Sequence, residues 1–224
     1  MRRMRGISIL HEDADLIVVD KAAGVLSQST RRGDDYCVAS ALTDYVRKGQ
    51  ARSRRQVYLV HRLDRDTSGV MVVAKTPEAE EYFRSRWNEI TEKTYVALVE
   101  GLMPEREGVF ESILAEDPRT LRVYSVADPS RGKLARTQWR VLEVRGRNSL
   151  VEVRLHTGRK NQIRVHFSES GHPVVGDGKY GSPHGGRSSG LCLHAWKLAF
   201  VHPRTGKSME FESPPPAWRE LQVK

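Results

Sequence analysis

Short apolar runs separated by polar turns dominate this chain, and their spacing predicts mainly β-structure. The β-branched runs at residues 7–11 and 16–20 flank an acidic turn, which is typical of a hairpin. Apolar or alternating runs predict further strands at residues 58–60, 69–74, 94–99, 109–114, 121–126, 135–144, 149–156, 191–201 and 208–212. The alternation in many of these runs indicates antiparallel strands with one buried face.

Helical spacing of apolar residues occurs at three places. Residues 38–46 repeat apolar positions at helical intervals, with a stop at Gly49. Thr76-Pro77-Glu78 combines an N-cap, a proline at the first helical position and an early acid, and it predicts a helix to about Trp87. A short helix is predicted at residues 162–170. Loops are predicted at residues 31–35 and 182–190 from their polar, glycine-containing composition.

These elements predict one α+β domain over residues 1–224, built on a mixed, mostly antiparallel sheet flanked by helices and loops. The length of 224 residues is enough to bury a core of useful size. No internal repeat and no separate linker is evident in the sequence.

The charge balance points to a polyanionic partner. Lys and Arg number 37 against 28 Asp and Glu, so the formal net charge is +9. Nucleic acid is the commonest polyanion that such a protein binds, although a merely solubilising charge balance remains the alternative. Two cysteines in unrelated contexts indicate no disulfide framework, and no apolar run is long enough for a membrane span or a signal peptide. We therefore expect a soluble cytoplasmic protein.

Two clusters of ionisable residues carry the candidate chemistry. Residues 61–69 read HRLDRDTSG and lie between two apolar strands, while residues 157–164 read TGRKNQIR and open a predicted helix. A carboxylate such as Asp64 can act as nucleophile or base without a metal, and it can stabilise positive charge on a sugar whose bond to a base is breaking. The alternative is that Asp64 and Asp66 only form local turns and salt bridges.

Other kinds of site are disfavoured. The histidines do not show metal-ligand spacing, the glycines around residue 176 do not form a phosphate loop, and Ser68 lacks the setting of a hydrolase nucleophile. We expect no metal ion and no cofactor.

The segment HRLDRDTSG resembles the active-site motif of the RluA family of pseudouridine synthases, whose RsuA-type relatives usually have glycine in place of His61. Four further segments are similar to that family in the same order: residues 9–24, 93–101, 157–166, and 171–195. The resemblance covers nearly the whole chain. It implies the α+β pseudouridine synthase fold and an isomerase that acts on uridine in RNA.

The resemblance also implies roles for individual residues. Asp64 would attack or deprotonate the target ribose, Arg62 would displace the uridine from its stack, and Tyr95 would stack on the flipped base. Arg164 would pair with Asp64, and Ile163 would wall the pocket. Further cations would contact RNA: Arg65, Arg159 and Lys160.

The chain departs from the family pattern in three ways. Ala22 stands where many relatives carry proline, which bears only on a loop. Lys160 and Asn161 stand where the family usually has Thr-His, which bears on substrate preference. The sequence also starts directly at the family's opening hairpin, so we expect no separate N-terminal RNA-binding domain.

The function predicted is therefore isomerisation of a specific uridine in structured RNA, ribosomal RNA or transfer RNA, by a monomer. Two rivals come from other classes. One is a catalytically inactive RNA-binding or ribosome-assembly protein, and the other is a hydrolase of free nucleosides.

Overall fold

The computed structural model describes residues 4–29, 36–50, 52–181 and 190–216. The chain divides into two compact units, one formed by Met1–Thr91 with Ala195–Pro214 and the other by Glu92–His194 with Pro215–Lys224. The single domain predicted over residues 1–224 stays a prediction. The loops predicted at 31–35 and 182–190 lie outside the described residues, apart from Gly190.

The first unit contains four strands side by side, in the order β1 (Ile7–Glu12), β2 (Leu16–Lys21), β4 (Ser68–Ala74) and β10 (Leu193–Val201). Two further strands, β3 (Tyr58–Leu59) and β11 (Ser208–Glu212), pair with β4 and β10 respectively. The pairs β1–β2, β2–β4, β3–β4 and β10–β11 are all antiparallel. The predicted opening and closing hairpins are thus confirmed.

Two helices, α1 (Val38–Arg47) and α2 (Pro77–Ile90), belong to this unit. Helix α2 begins as predicted, because the Thr76 hydroxyl accepts a hydrogen bond from the backbone N–H of Ala79, at 3.2 Å. It continues three residues beyond the predicted Trp87. Helix α1 is capped by Cys37, whose sulfur accepts from the backbone N–H of Ser40.

The core of the first unit lies between the sheet and α2. Its buried members are Leu16, Val18, Val70, Val72, Phe83, Leu198 and Phe200. All seven residues of β4 are buried, which explains why that strand reads as a continuous apolar run rather than as an alternation.

The second unit contains five strands in the order β5 (Thr91–Glu100), β9 (Asn148–Leu155), β8 (Lys133–Arg145), β6 (Glu107–Glu116) and β7 (Val123–Val126). The pairs β5–β9, β8–β9, β6–β8 and β6–β7 are antiparallel. Helix α3 (Gln162–Glu169) packs with a core of Leu114, Val123, Ala135, Val165 and Tyr180.

The strands of this unit differ from their predicted bounds by one to three residues, and β7 is the one that is shorter at its start for a visible reason. Strand β7 begins at Val123 rather than Leu121, because Leu121 adopts a left-handed conformation with φ of 55°. The Asp117 carboxylate causes this turn by accepting the backbone N–H groups of Arg119 and Thr120. Among the described residues, no helix combines the length and apolar character that crossing a membrane would require.

A polar cluster joins the β1–β2 turn to the β10–β11 turn. The Asp13 carboxylate contacts the Nε2 atoms of His11 at 2.9 Å and His202 at 3.1 Å. It also accepts the backbone N–H groups of Asp15 and Leu16. Burial by itself would raise the pKa of Asp13, but these hydrogen bonds outweigh it and hold the pKa at about 2.

We therefore expect Asp13→Asn to lower the free energy of unfolding at pH 7 by roughly 1–2 kcal/mol. The folded pKa lies below the unfolded value, so the carboxylate stabilises the fold above about pH 4 and loses this effect as the pH falls toward 2. Denaturant unfolding at pH 7 and at pH 2 measures the difference. The exposed Asp44→Asn variant serves as control, and a gap between Asp13→Asn and wild type that stays constant with pH would contradict the assignment.

Candidate active site

The motif HRLDRDTSG follows β3, and its last two residues, Ser68 and Gly69, begin β4. Leu63 points inward and is buried, whereas Arg62 and Arg65 are exposed and Asp64 is partly exposed. The loop turns where the backbone N–H of Thr67 donates to the carbonyl of Asp64, at 3.2 Å. The carboxylate predicted to be catalytic is thus accessible while its neighbour anchors the loop.

Ser27 holds the residue that precedes Asp64. Its hydroxyl donates to the Leu63 carbonyl at 2.7 Å and accepts the Leu63 N–H at 3.1 Å. Ser27 and Leu63 are both buried, so water does not compete strongly for these two bonds. The backbone on one side of Asp64 is therefore fixed by a side chain 36 residues away.

Lys21 holds the residue that follows Asp64. Its Nζ donates to the carbonyl of Arg65 at 3.1 Å and to those of Ala22 and Val25 at 3.1 and 2.8 Å. The same Arg65 carbonyl accepts the backbone N–H of Gly24 at 2.9 Å. Both neighbours of Asp64 are thus tied to the segment that follows β2.

The ammonium group of Lys21 is buried, and burial disfavours its charged form. Its side chain is fully buried, and burial lowers the pKa of Lys21 to about 8, although the nearby Asp66, Asp64 and Asp20 raise it in part.

Lys21 and Ser27 were not among the predicted site residues. For Lys21, the available signal in the sequence was a lysine at the end of a buried apolar strand. No sequence pattern indicated Ser27.

His61 and Gly69 fix the two ends of the motif. The His61 ring stacks on Trp87 at 4.5 Å between centroids, and its Nε2 accepts the backbone N–H of Val72 at 3.0 Å. Gly69 has φ of 115°, and a Cβ there would lie 2.1 Å from the carbonyl oxygen of Ala195. Only glycine fits this position, which accounts for the last residue of the motif.

Tyr95, the predicted stacking residue, lies in the second unit on β5. It is 9% exposed and is opposite Val153 of β9. Lys93 lies two residues earlier, on the same face of the strand. Burial lowers the pKa of Lys93 to about 8, so Lys93, like Lys21, is a buried lysine whose charged form is disfavoured.

Arg164 and Ile163 lie on α3, and both are buried. The Nε and one terminal nitrogen of Arg164 each donate to an oxygen of Asp177, at 2.7 Å. This two-point contact fixes the plane of the guanidinium group, which also lies 5.2 Å from the centre of the Tyr180 ring. The predicted pairing of Arg164 with Asp64 stays a prediction.

Arg159 and Lys160 lie just before α3. Arg159 Nε donates to the Leu134 carbonyl at 2.9 Å, and Lys160 forms an ion pair with Glu116. The buried Gln162 organises this turn by accepting a hydrogen bond from the Arg159 N–H at 2.9 Å. These two of the three predicted RNA-binding cations therefore have protein partners, and so does Arg65, whose Nε donates to the Gly24 carbonyl at 3.3 Å. Their role toward RNA stays a prediction.

Among the described residues, one group of three side chains has its potential metal-ligand atoms within 4.8 Å of one another: Asp13, Asp15 and His202. Arg204 already supplies a positive charge there, because its guanidinium contacts both oxygens of Asp15. His202 Nδ1 accepts the backbone N–H groups of Arg204 and Thr205, each at 3.1 Å, so the ring proton lies on Nε2, which donates it to Asp13 rather than offering a lone pair to a metal. We interpret this group as structural.

Solved structures identify the class of fold. Human RNA Pseudouridylate Synthase Domain Containing 1 matches with a TM-score of 0.74 and 26% identity, over 96% of this chain and 86% of that one. Human RNA Pseudouridylate Synthase Domain Containing 4 has a TM-score of 0.75 at 24% identity, over 94% and 89%. The predicted α+β pseudouridine synthase fold is confirmed.

Sequence comparison identifies the family. A family model described as RNA pseudouridylate synthase matches residues 15–169. Ribosomal large subunit pseudouridine synthase D of Nitrosomonas europaea is 36% identical over 219 residues, which cover 94% of this chain and 62% of that protein. The Zymomonas mobilis protein of the same name is 33% identical over 230 residues, which cover 97% and 72%. The chain belongs to the RNA pseudouridylate synthase family, and within it to the RluA type.

Proposed function

We propose that this chain isomerises uridine to pseudouridine within RNA, with Asp64 as the catalytic carboxylate. The bond between ribose and the uracil nitrogen breaks, the uracil turns, and a bond from ribose to a ring carbon forms. That carbon releases one proton and the freed nitrogen gains one, so the reaction balances without a cofactor. The observation that carries the proposal is the partly exposed Asp64 between two clamped neighbours, in a member of this family.

The other site residues have supporting roles in this proposal. Arg62, exposed beside Asp64, takes the place of the target base in the stack. Tyr95 stacks on the flipped base, and Ile163 forms an apolar wall. Arg164, oriented by Asp177, pairs with Asp64.

The excess positive charge supports RNA as the substrate rather than a free nucleoside. A net charge of +9 favours a polyanion through phosphate contacts and counterion release. Arg65, Arg159 and Lys160 are the cations that we assign to RNA near the target. The rival role, an inactive RNA-binding or ribosome-assembly protein, is disfavoured because Asp64, Tyr95 and Arg164 are all retained.

We propose structured RNA, a stem-loop of ribosomal or transfer RNA, as the substrate of a cytoplasmic monomer. The relatives named above, called ribosomal large subunit pseudouridine synthases, support ribosomal RNA as the first substrate to test. The test is to incubate the purified protein with transcribed ribosomal RNA, transfer RNA and free uridine, and to map pseudouridine in each. Pseudouridine in RNA alone supports the proposal. Release of uracil from free uridine would instead favour a hydrolase, and no product from any substrate would favour the inactive rival.

A short hairpin should be sufficient as a substrate. Recognition by local stem-loop shape and splayed bases requires only the RNA near the target. We therefore expect a hairpin that carries the target uridine to be modified within about tenfold of the full-length RNA rate, with binding that weakens as salt rises. Single-turnover rates on both RNAs measure this. Modification that requires a whole ribosomal subunit would contradict it.

A further inference from the structure

A dense group of exposed cations follows the C-terminal end of α1. Residues 47–55 contain five Lys or Arg and no acid. Four of these cations are exposed and are called here the basic surface: Lys48, Arg52, Arg54 and Arg55. They belong to no motif that the proposed chemistry uses.

Hydrogen bonds hold the backbone around the basic surface against α1. Arg47 Nε donates to the Arg55 carbonyl at 2.9 Å, and the N–H of Val57 donates to the Thr43 hydroxyl at 3.3 Å. Lys48, in a left-handed conformation, caps the helix by donating its N–H to the Tyr45 carbonyl. The backbone that carries these cations is therefore held in place before any ligand binds, which lowers the entropic cost of binding one.

The basic surface owes its excess charge to its three arginines, since Lys48 interacts electrostatically with Glu12. Within the described part of the chain, Arg52, Arg54 and Arg55 form no ion pair. By contrast, the two arginines of α2 share that helix with four glutamates.

Stabilisation of the α1 C-terminus explains only part of the basic surface. A cation in the last turn of a helix interacts favourably with its carbonyl end, and this effect fades within one turn. Arg47 and Lys48 already occupy those positions. Arg52, Arg54 and Arg55 lie well beyond them in the chain, so the helix does not account for their charges.

The basic surface lies within reach of the RNA that would surround the target. Arg55 comes just before β3, and Asp64 comes just after it in the motif loop. Asp64 lies nine positions after Arg55, which limits the distance between their Cα atoms to roughly 30 Å. An RNA duplex rises about 3 Å per nucleotide of one strand, so roughly ten nucleotides would bridge the two.

We propose that the basic surface binds backbone phosphates of the substrate RNA at up to about ten nucleotides from the target uridine. This inference rests on the proposed function and deepens it. It assigns part of the RNA affinity to a surface outside the motif loop. An acidic protein partner is the competing occupant that the experiment must exclude.

The test replaces Arg52, Arg54 and Arg55 together with glutamine. A matched control replaces the exposed Arg84, Arg86 and Lys207 with glutamine and removes the same charge from the same unit. Binding of a target hairpin is measured against salt concentration. The first variant should bind about tenfold or more weakly at ~0.1 M salt and lose roughly two from its log–log salt slope, since each phosphate contact contributes about 0.7–0.9. The control should change the slope by less than about one.

Catalysis at saturating RNA separates binding from chemistry. The variant should match wild type in the single-turnover rate at saturating hairpin. Equal salt slopes for the two variants, or a lower rate at saturating hairpin, would overturn this inference. Polyglutamate serves as the probe for an acidic protein partner. If the arginine variant lost binding to polyglutamate but kept binding to RNA, the inference would also be overturned. Wild-type activity on the hairpin is scored separately, so failure of the proposed function is distinguishable.

Discussion

Asp64→Asn should abolish pseudouridine formation, with a loss of at least about 10⁴-fold in the single-turnover rate. The substitution keeps the size of the side chain and removes the negative charge that nucleophilic or basic attack on the ribose requires. RNA affinity should change by no more than about threefold, because an amide at this position removes no contact to phosphate. Rate and affinity are measured on the same hairpin.

Asp66→Asn is the matched control. Asp66 is an exposed carboxylate two residues along the same loop, so its loss changes the charge of the loop by the same amount. We expect this control to retain activity within about tenfold of wild type. If the two variants lose activity equally, the loop charge rather than the Asp64 carboxylate would be responsible, and the catalytic assignment would be withdrawn.

The helices and strands were predictable because each depends on the spacing of apolar residues and on capping residues within a short stretch of sequence. The buried strand β4 reads as an apolar run, and α2 begins at a Thr-Pro-Glu signal whose hydrogen bond the structure confirms. Strand β7 was predicted two residues too early, because an Asp117 side chain, rather than apolar spacing, sets the turn before it. Periodicity carries no information about such a bond.

The candidate site was predictable only where residues form a recognisable motif. Residues 61–69 and Arg164 were assigned to the site in that way, and their roles stay predictions. Ser27 and Lys21 were not, because their bonds to the motif loop span 36 and 44 residues of sequence. Contacts of this kind depend on which strands become neighbours, and apolar spacing within one strand does not specify its neighbour.

The basic charge of the chain illustrates the same limit. Its total of +9 pointed to a polyanion without locating the contact surface. The structure separates cations that already have acidic partners, such as Lys160 with Glu116, from the basic surface, where Arg52, Arg54 and Arg55 form no ion pair in the described residues. This difference in pairing, rather than composition, is the basis on which we propose the basic surface as an additional phosphate contact.

Lys21→Met should reduce activity by roughly 100-fold while leaving the protein folded. Lys21 Nζ binds the Arg65 carbonyl, and small displacements of a reacting group cost about this much in rate. Stability should change by less than about 2 kcal/mol at pH 7, because two effects oppose each other. The variant loses hydrogen bonds to three carbonyls, but it also removes a buried charge that costs roughly 3 kcal/mol, given a pKa of about 8 when folded and about 10.4 when unfolded.

The pH dependence of stability isolates the second effect. Between pH 8 and pH 10.4 the folded protein binds fewer protons at Lys21 than the unfolded chain does, so rising pH stabilises wild type but not the Lys21→Met variant. From pH 7 to pH 9.5, wild type should gain about 2 kcal/mol relative to the variant in denaturant unfolding. Lys75→Met, which removes a lysine bound to Glu12 and the Asp13 carbonyl, is the control and should retain activity within about threefold. A Lys21→Met variant with the wild-type rate would show that this lysine does not position the Asp64 loop. No relative change in stability between the two pH values would show that it does not carry a buried charge.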